Sequence, residues 1–167
     1  MDFEYQRRLL SAQFERLQQR IKEESREIIA EQENGIVFAR IYGPGGTNEP
    51  YVAKIAADLY PIQPWRVGFI NPEVELEKRR RIPDRDPRFW PFSGLPGLDG
   101  GFHVAYQGPF RVFVCMRFTL EYFYYHPDER WEPGVFDLSR VVIQLAEEVR
   151  KAEHFSRWVP LVKLAAQ

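Results

Sequence analysis

The stretch from Ile36 to Pro72 constrains the fold most strongly, because short strand-like runs alternate in it with turn signals. The cluster from Gly43 to Asn48 holds three glycines and a proline, which neither a helix nor an inner strand tolerates. Residues 51–58 then alternate in the manner of a half-buried strand. Pro61 and Pro64 interrupt the ladder, since proline has no backbone N–H. With a third alternating run after them, the stretch predicts a three-strand antiparallel meander.

A long amphipathic helix is predicted ahead of this meander, from Asp2 to Gln32. Apolar side chains recur at spacings of three, four or seven, on one helical face, at Leu10, Phe14, Leu17, Ile21 and Ile28. Neither proline nor glycine occurs before Gly35, which predicts a helix stop after Asn34. The opposite face mixes arginine, lysine and glutamate, a pattern typical of a solvated surface.

The second half of the chain predicts further strands and helices. Two β-rich runs, 102–106 and 110–116, follow an insertion-like loop at about 71–101. Asp137 is a good N-cap for a helix whose apolar residues, Leu138, Val141, Val142, Leu145 and Val149, lie on one face. The apolar residues between 155 and 164 predict a last helix. The aromatic run from Thr119 to Tyr125 is typical of a core or a covered edge.

Length and composition limit the class of protein. A chain of 167 residues predicts a single domain, 1–167, with a real core. The net charge of −1 gives no global reason to expect nucleic acid or an anionic membrane as a partner. The basic run from Lys78 to Arg81 is nearly neutralised by adjacent acids, so we expect an ion-paired loop there, with a nucleic-acid accessory as the weaker alternative. A lone cysteine and no apolar run of ~20 residues predict a cytoplasmic protein without a membrane partner.

The order of these motifs resembles the ubiquitin-conjugating enzyme superfamily. The similarity rests on a strand ending in a Gly-Pro turn, a second strand ending in Tyr60-Pro61-x-x-Pro64, and a third closing on Phe69-x-x-Pro72. Trp131-x-Pro133 before a helix is similar to a later passage of that family. The resemblance implies an α+β fold with a long N-terminal helix, an antiparallel meander sheet of about four strands, and C-terminal helices.

The same resemblance implies a chemistry for Cys115, which precedes Trp131 as the nucleophile of the family precedes its tryptophan. The cysteine would accept a ubiquitin-like modifier as a thioester from an activating enzyme and pass it to an amine. The His-Pro-Asn tripeptide of the family is absent, and His103 replaces its histidine by position only. Divergent bacterial members that lack the tripeptide, some of them in antiphage operons, are similar in placing a Tyr/His-rich patch after the cysteine. By that comparison His126 polarises the thiol or orients the amine.

Other roles stay open at this level. In the family the first helix helps to dock the activating enzyme, which makes Arg7, Arg8 and Arg16 candidate partner-binding residues. Cys115 also lies in an alternating apolar run, where a free cysteine is often a small buried hydrophobe. The alternative function is therefore a catalytically inactive scaffold of the same fold that binds a protein partner. We expect no cofactor and no metal, because one cysteine and the histidines have no recognised zinc spacing.

Overall fold

A computed structural model describes residues 3–24, 27–43, 50–70, 103–106 and 112–150, with the backbone alone at 3, 103–106, 112–115, 121, 124 and 125. The elements in chain order are α1 (Phe3–Glu23), β1 (Ile28–Glu33), β2 (Ile36–Ile41), β3 (Tyr51–Ala56), β4 (Arg66–Ile70), β5 (His103–Tyr106), β6 (Val112–Cys115), α2 (Leu120–Tyr125) and α3 (Leu138–Val149). This confirms the predicted α+β class, with an N-terminal helix, a four-strand antiparallel sheet and a C-terminal helix. The predicted insertion and last helix lie outside the described residues.

The main sheet is an antiparallel meander in the order β1-β2-β3-β4, and β5 pairs with β6 in a separate hairpin. The three predicted strands after Ile36 are present as β2, β3 and β4. Ala39 pairs with Ala53, and Ala53 in turn with Phe69, so the three strands share one register across the sheet. The turn clusters of the sequence therefore mark the strand ends correctly.

The predicted extent of the N-terminal helix is wrong, because the helix ends at Glu23 and residues 28–33 form β1. Asn34 and Gly35 connect β1 to β2 with φ of 49° and 80°, and Glu33 pairs directly with Ile36. A two-residue Asn-Gly connection with both φ positive is the favoured hairpin turn. Gly35 is thus a hairpin residue and not a helix stop, and Ile28 belongs to the sheet.

The two long helices pack together on one face of the meander. One core cluster joins apolar side chains of α1, the sheet and α3, including Leu17, Val37, Ile55, Val142 and Leu145. Burial of each such side chain contributes about 1.5–3 kcal/mol relative to exposure. A second, smaller buried cluster lies on the other face, made of Phe38 of β2, Val52 of β3 and Ile70 of β4. The central strands are therefore buried on both faces, whereas β1 alternates between buried and exposed side chains.

The N-terminus of α3 has the predicted cap. The Asp137 carboxylate accepts a hydrogen bond from the Arg140 backbone N–H at 2.8 Å, which satisfies one of the donors that the first helical turn leaves without a partner. At the other end, Arg150 forms an ion pair with Glu27 at 3.5 Å. Both ends of α3 are therefore tied down.

We predict that Gly35→Ala destabilises the protein by about 1 kcal/mol, because an alanine resists a left-handed backbone conformation. A Cβ at this position would meet no heavy atom within 4 Å, so the cost is conformational and not steric. Asn34→Gly is the control, and its free energy of unfolding in urea should stay within about 0.5 kcal/mol of wild type. An unchanged stability of Gly35→Ala would contradict this account of the hairpin.

Candidate functional site

The turn that follows Cys115 is attached to the main sheet through Trp65, just before β4. The Trp65 backbone N–H donates to the Phe118 carbonyl at 3.1 Å, and the Leu120 N–H donates to the Trp65 carbonyl at 2.9 Å. These bonds form a parallel bridge between Trp65 and Thr119. The end of β6, where Cys115 lies, is thereby held against the start of β4.

The Thr119 side chain closes this turn. Its hydroxyl donates to the Met116 carbonyl at 2.9 Å and accepts from the backbone N–H groups of Met116 and Tyr122 at 3.2 and 3.4 Å. Thr119 is at the same time the N-cap of α2, and its side chain is fully buried. Four residues after Cys115, one threonine therefore ends the turn and starts a helix.

The β5–β6 hairpin brings two of the three candidate catalytic residues together. Its register pairs His103 with Cys115, Val104 with Val114, and Tyr106 with Val112. Both predicted β-rich runs are therefore strands, and their pairing places His103 directly opposite Cys115 although twelve positions separate them in the sequence. Directly opposed residues are the closest neighbours that an antiparallel ladder offers.

His126, the third candidate, is at the C-terminal end of α2. Its backbone N–H donates to the Tyr122 carbonyl at 3.0 Å, and its ring stacks on that of Tyr122 with centroids 4.1 Å apart. The imidazole is exposed. The described contacts thus tie His126 to Tyr122, in the turn where it was predicted.

The aromatic side chains around Trp65 and Trp131 form a junction between the β3–β4 loop and the segment before α3. The Tyr60 ring stacks on Trp65 with centroids 4.0 Å apart. The indole N–H of Trp65 donates to the Phe136 carbonyl at 2.9 Å, and that of Trp131 donates to the Pro61 carbonyl at 2.8 Å. The buried indole of Trp65 and the partly buried indole of Trp131 therefore both have a polar partner.

Gln13 is the residue at this junction that the sequence reading missed. The buried amide donates from Nε2 to the Tyr60 hydroxyl at 3.2 Å and accepts at Oε1 from the Leu138 N–H at 2.8 Å. It thus links α1 to the β3–β4 loop and to the first turn of α3. A glutamine at helical spacing between Leu10 and Leu17, inside the apolar stripe, was the sequence signal for this bond.

The junction perturbs the titration of Tyr60. Burial raises the pKa of its hydroxyl, an effect that the hydrogen bond from Gln13 partly offsets. Desolvation disfavours the phenolate, so the tyrosine stays protonated in the folded state to higher pH than in water.

The three candidate partner-binding arginines do not form one patch. All are exposed on α1, and Arg8 is paired with Glu4. Arg7 and Arg8 line a surface depression with Ser11, Ala12 and Glu15. Arg16 follows Arg7 by nine residues, which is about two and a half helical turns. Arg7 and Arg16 therefore point from opposite sides of the helix, and a partner that contacts one does not readily reach the other.

The described residues contain no group of three histidine, cysteine or acidic residues that could hold a metal ion. In the same part of the chain, none of the helices has the length and apolar character needed to cross a membrane.

Comparison of the chain with protein-family models, with curated proteins and with solved structures gave no match.

We predict that Gln13→Leu lowers the free energy of unfolding by about 1–3 kcal/mol, because the buried Leu138 N–H loses its acceptor. Gln19 is the matched control, since it is an exposed glutamine of the same helix whose amide donates to the Glu23 carboxylate at the surface. Gln19→Leu should change stability by less than about 0.5 kcal/mol in urea titrations. Equal effects of the two substitutions would show that the Gln13 bridge contributes nothing.

A second prediction concerns alkaline pH. Because the pKa of Tyr60 is raised in the folded state, its contribution to stability is complete below the unfolded value of about 10 and is lost as pH rises further. Tyr60→Phe should lower the free energy of unfolding by about 1 kcal/mol at pH ~8. Between pH ~10 and ~11, the free energy of unfolding of this variant should fall less than that of the wild-type protein.

Urea denaturation across this pH range measures the effect. Tyr122→Phe is a second positive variant, because burial and then the hydrogen bond to Glu129 raise the pKa of Tyr122. Parallel curves for wild type and Tyr60→Phe would contradict the prediction.

Proposed function

We propose that this protein is a divergent, bacterial-type ubiquitin-conjugating-like enzyme that carries a ubiquitin-like modifier as a thioester on Cys115. The observation that carries the proposal is the position of Cys115. It ends β6 opposite His103, directly before a turn that hydrogen bonds hold against the sheet. The order of a helix, a four-strand meander, the cysteine, Trp131 and a further helix supports the same proposal.

The reaction uses groups that the chain supplies. The Cys115 thiolate attacks the carbonyl carbon of the thioester that joins the modifier to its activating enzyme. A carbon–sulfur bond to Cys115 forms, the bond to the sulfur of the activating enzyme breaks, and the departing thiolate takes up a proton. An acceptor amine then attacks the new thioester, loses its proton to a base, and releases Cys115. His103, opposite Cys115 in the ladder, is the candidate base that accepts the thiol proton. His126 is the candidate base that accepts the amine proton.

A catalytically inactive scaffold that binds a protein partner is the second candidate, and exposed apolar side chains favour it. Four of the exposed large hydrophobic residues, Tyr5, Leu59, Ile62 and Val135, lie on α1, the β3–β4 loop and the segment before α3. Hydrogen bonds from Gln6 to the carbonyls of Asp58 and Tyr60, and from Trp131 to Pro61, join these segments. Such a surface fits partner binding in an enzyme as well.

The two candidates predict different reactivity of Cys115. For the enzyme, we expect iodoacetamide to label the native protein with a rate that rises through a pH midpoint below the free-cysteine pKa of about 8.5. Because Cys115 is the only cysteine in the sequence, Cys115→Ala provides a complete blank. Labelling that requires denaturation would exclude the enzyme and leave the scaffold.

Acyl transfer is the more direct test. A peptide thioester that ends in Gly-Gly should transfer its acyl group to wild-type protein, giving an adduct that mass spectrometry detects and that excess dithiothreitol removes. Cys115→Ala should give no adduct, and Cys115→Ser should give at most an oxyester that resists the thiol. Rapid alkylation without any acyl transfer would show a reactive thiol that is not a conjugating nucleophile.

A further inference from the structure

A polar cluster lies beside the turn after Cys115 and has no role in the reaction described so far. Arg117 is two residues after Cys115, and its Nε lies 3.6 Å from the Glu129 carboxylate. The other oxygen of that carboxylate accepts a hydrogen bond of 2.5 Å from the Tyr122 hydroxyl. Glu129 is therefore held between a cation and a phenol, in the loop that follows α2.

Tyr122 fixes the position of this carboxylate. Its side chain is buried, its backbone N–H is bound by the Thr119 hydroxyl, and its ring contacts Phe123 and His126. Tyr122 therefore holds Glu129 beside the same turn that contains Arg117. The charges of Arg117 and Glu129, in contrast, remain largely accessible to water, with side-chain exposures of 69% and 40%.

We propose that Arg117 supplies the positive charge that activates the Cys115 thiol, and that Glu129, positioned by Tyr122, limits how much of that charge the sulfur experiences. The inference rests on the proposed function, in that it takes Cys115 to be the nucleophile. Arg117 and Glu129 are positioning residues here, because they act through the thiolate and not on the modifier.

The electrostatics of this arrangement follow from the chain itself. Two residues of extended chain span at most ~7 Å between Cα atoms, so the backbone of Arg117 lies within roughly one Debye length of the backbone of Cys115 at physiological salt. A neighbouring cation stabilises a thiolate relative to its thiol, and a neighbouring carboxylate does the reverse. At ~10 Å near a protein surface, each charge shifts the titration by roughly half a pH unit.

Other titratable or charged groups belong to the elements packed against β6. His103 is opposite Cys115 in β5, Glu121 and Tyr122 belong to α2, and Arg66 is the first residue of β4. Among these, Arg66 is already paired with Asp58 at 2.9 Å. The test below changes only Arg117 and Glu129, so the contributions of the other groups stay constant.

The experiment measures the iodoacetamide labelling rate of Cys115 against pH in four variants of the full chain. Arg117→Gln should raise the pH midpoint by roughly half a unit, and Arg117→Lys, which keeps the charge, should stay close to wild type. Glu129→Gln should lower the midpoint by a similar amount while still accepting from Tyr122. Arg20→Gln is the matched control, because its ion pair with Glu24, at 47% and 28% exposure, belongs to α1 and not to the elements named above, so it should leave the midpoint unchanged.

The midpoints of Arg117→Gln and Glu129→Gln should shift in opposite directions, which distinguishes an electrostatic role from a structural one. A packing defect at the turn would move both midpoints in one direction, whereas loss of a cation and loss of an anion move them apart. In ~1 M NaCl, where the Debye length is ~3 Å, both shifts should shrink. Midpoints that stay at the wild-type value, or that move together, would overturn the inference while leaving the nucleophile intact. Failure of the wild-type native protein to label at all would overturn the proposed function and this inference with it.

Discussion

The buried amide of Gln13 is the contact on which the arrangement of the elements depends. It bonds the Tyr60 hydroxyl and the Leu138 N–H at once, so α1, the β3–β4 loop and the start of α3 meet at one side chain. Apolar packing between these elements is stronger in total, but it is non-directional. Two directional bonds from a buried group select one arrangement among several of similar burial, because any other leaves a polar atom without a partner.

Trp65 extends this junction toward Cys115. Its indole bonds the Phe136 carbonyl before α3, its ring stacks on Tyr60, and its backbone holds Phe118 and Leu120 on either side of the α2 cap. One residue therefore connects the segment before α3 with the turn after β6. A support of this kind suits the nucleophile that we propose, since a displacement of about 1 Å can cost a large part of the reaction rate.

Sequence patterns predicted the local structure well at residues that strongly favour one backbone conformation or one position in a helix or strand. The prolines and glycines around β3 marked its ends, and Asp137 marked the start of α3. Periodicity failed at Ile28, because an isoleucine seven residues after Ile21 fits a helical face and also fits an alternating strand. The Asn34-Gly35 pair indicated a hairpin turn, and this signal is stronger than the helical spacing of one isoleucine. Pairing of His103 with Cys115, and the Gln13 bridge across more than a hundred residues, depend on register and tertiary packing, which no local pattern contains.

At the candidate site, the groups that stabilise the fold differ from those that we propose adjust the reactivity of Cys115. Gln13, Tyr60, Trp65 and Thr119 are buried, so changes to them act on stability first. The ion pair of Arg117 and Glu129 lies at the surface, where such pairs contribute 0–1 kcal/mol or so to stability. A charge near a thiolate keeps its influence on titration even where it adds little to folding, because the two effects are measured against different reference states. Substitution of an exposed charge beside the proposed nucleophile can therefore change the reactivity of the cysteine without loss of the fold.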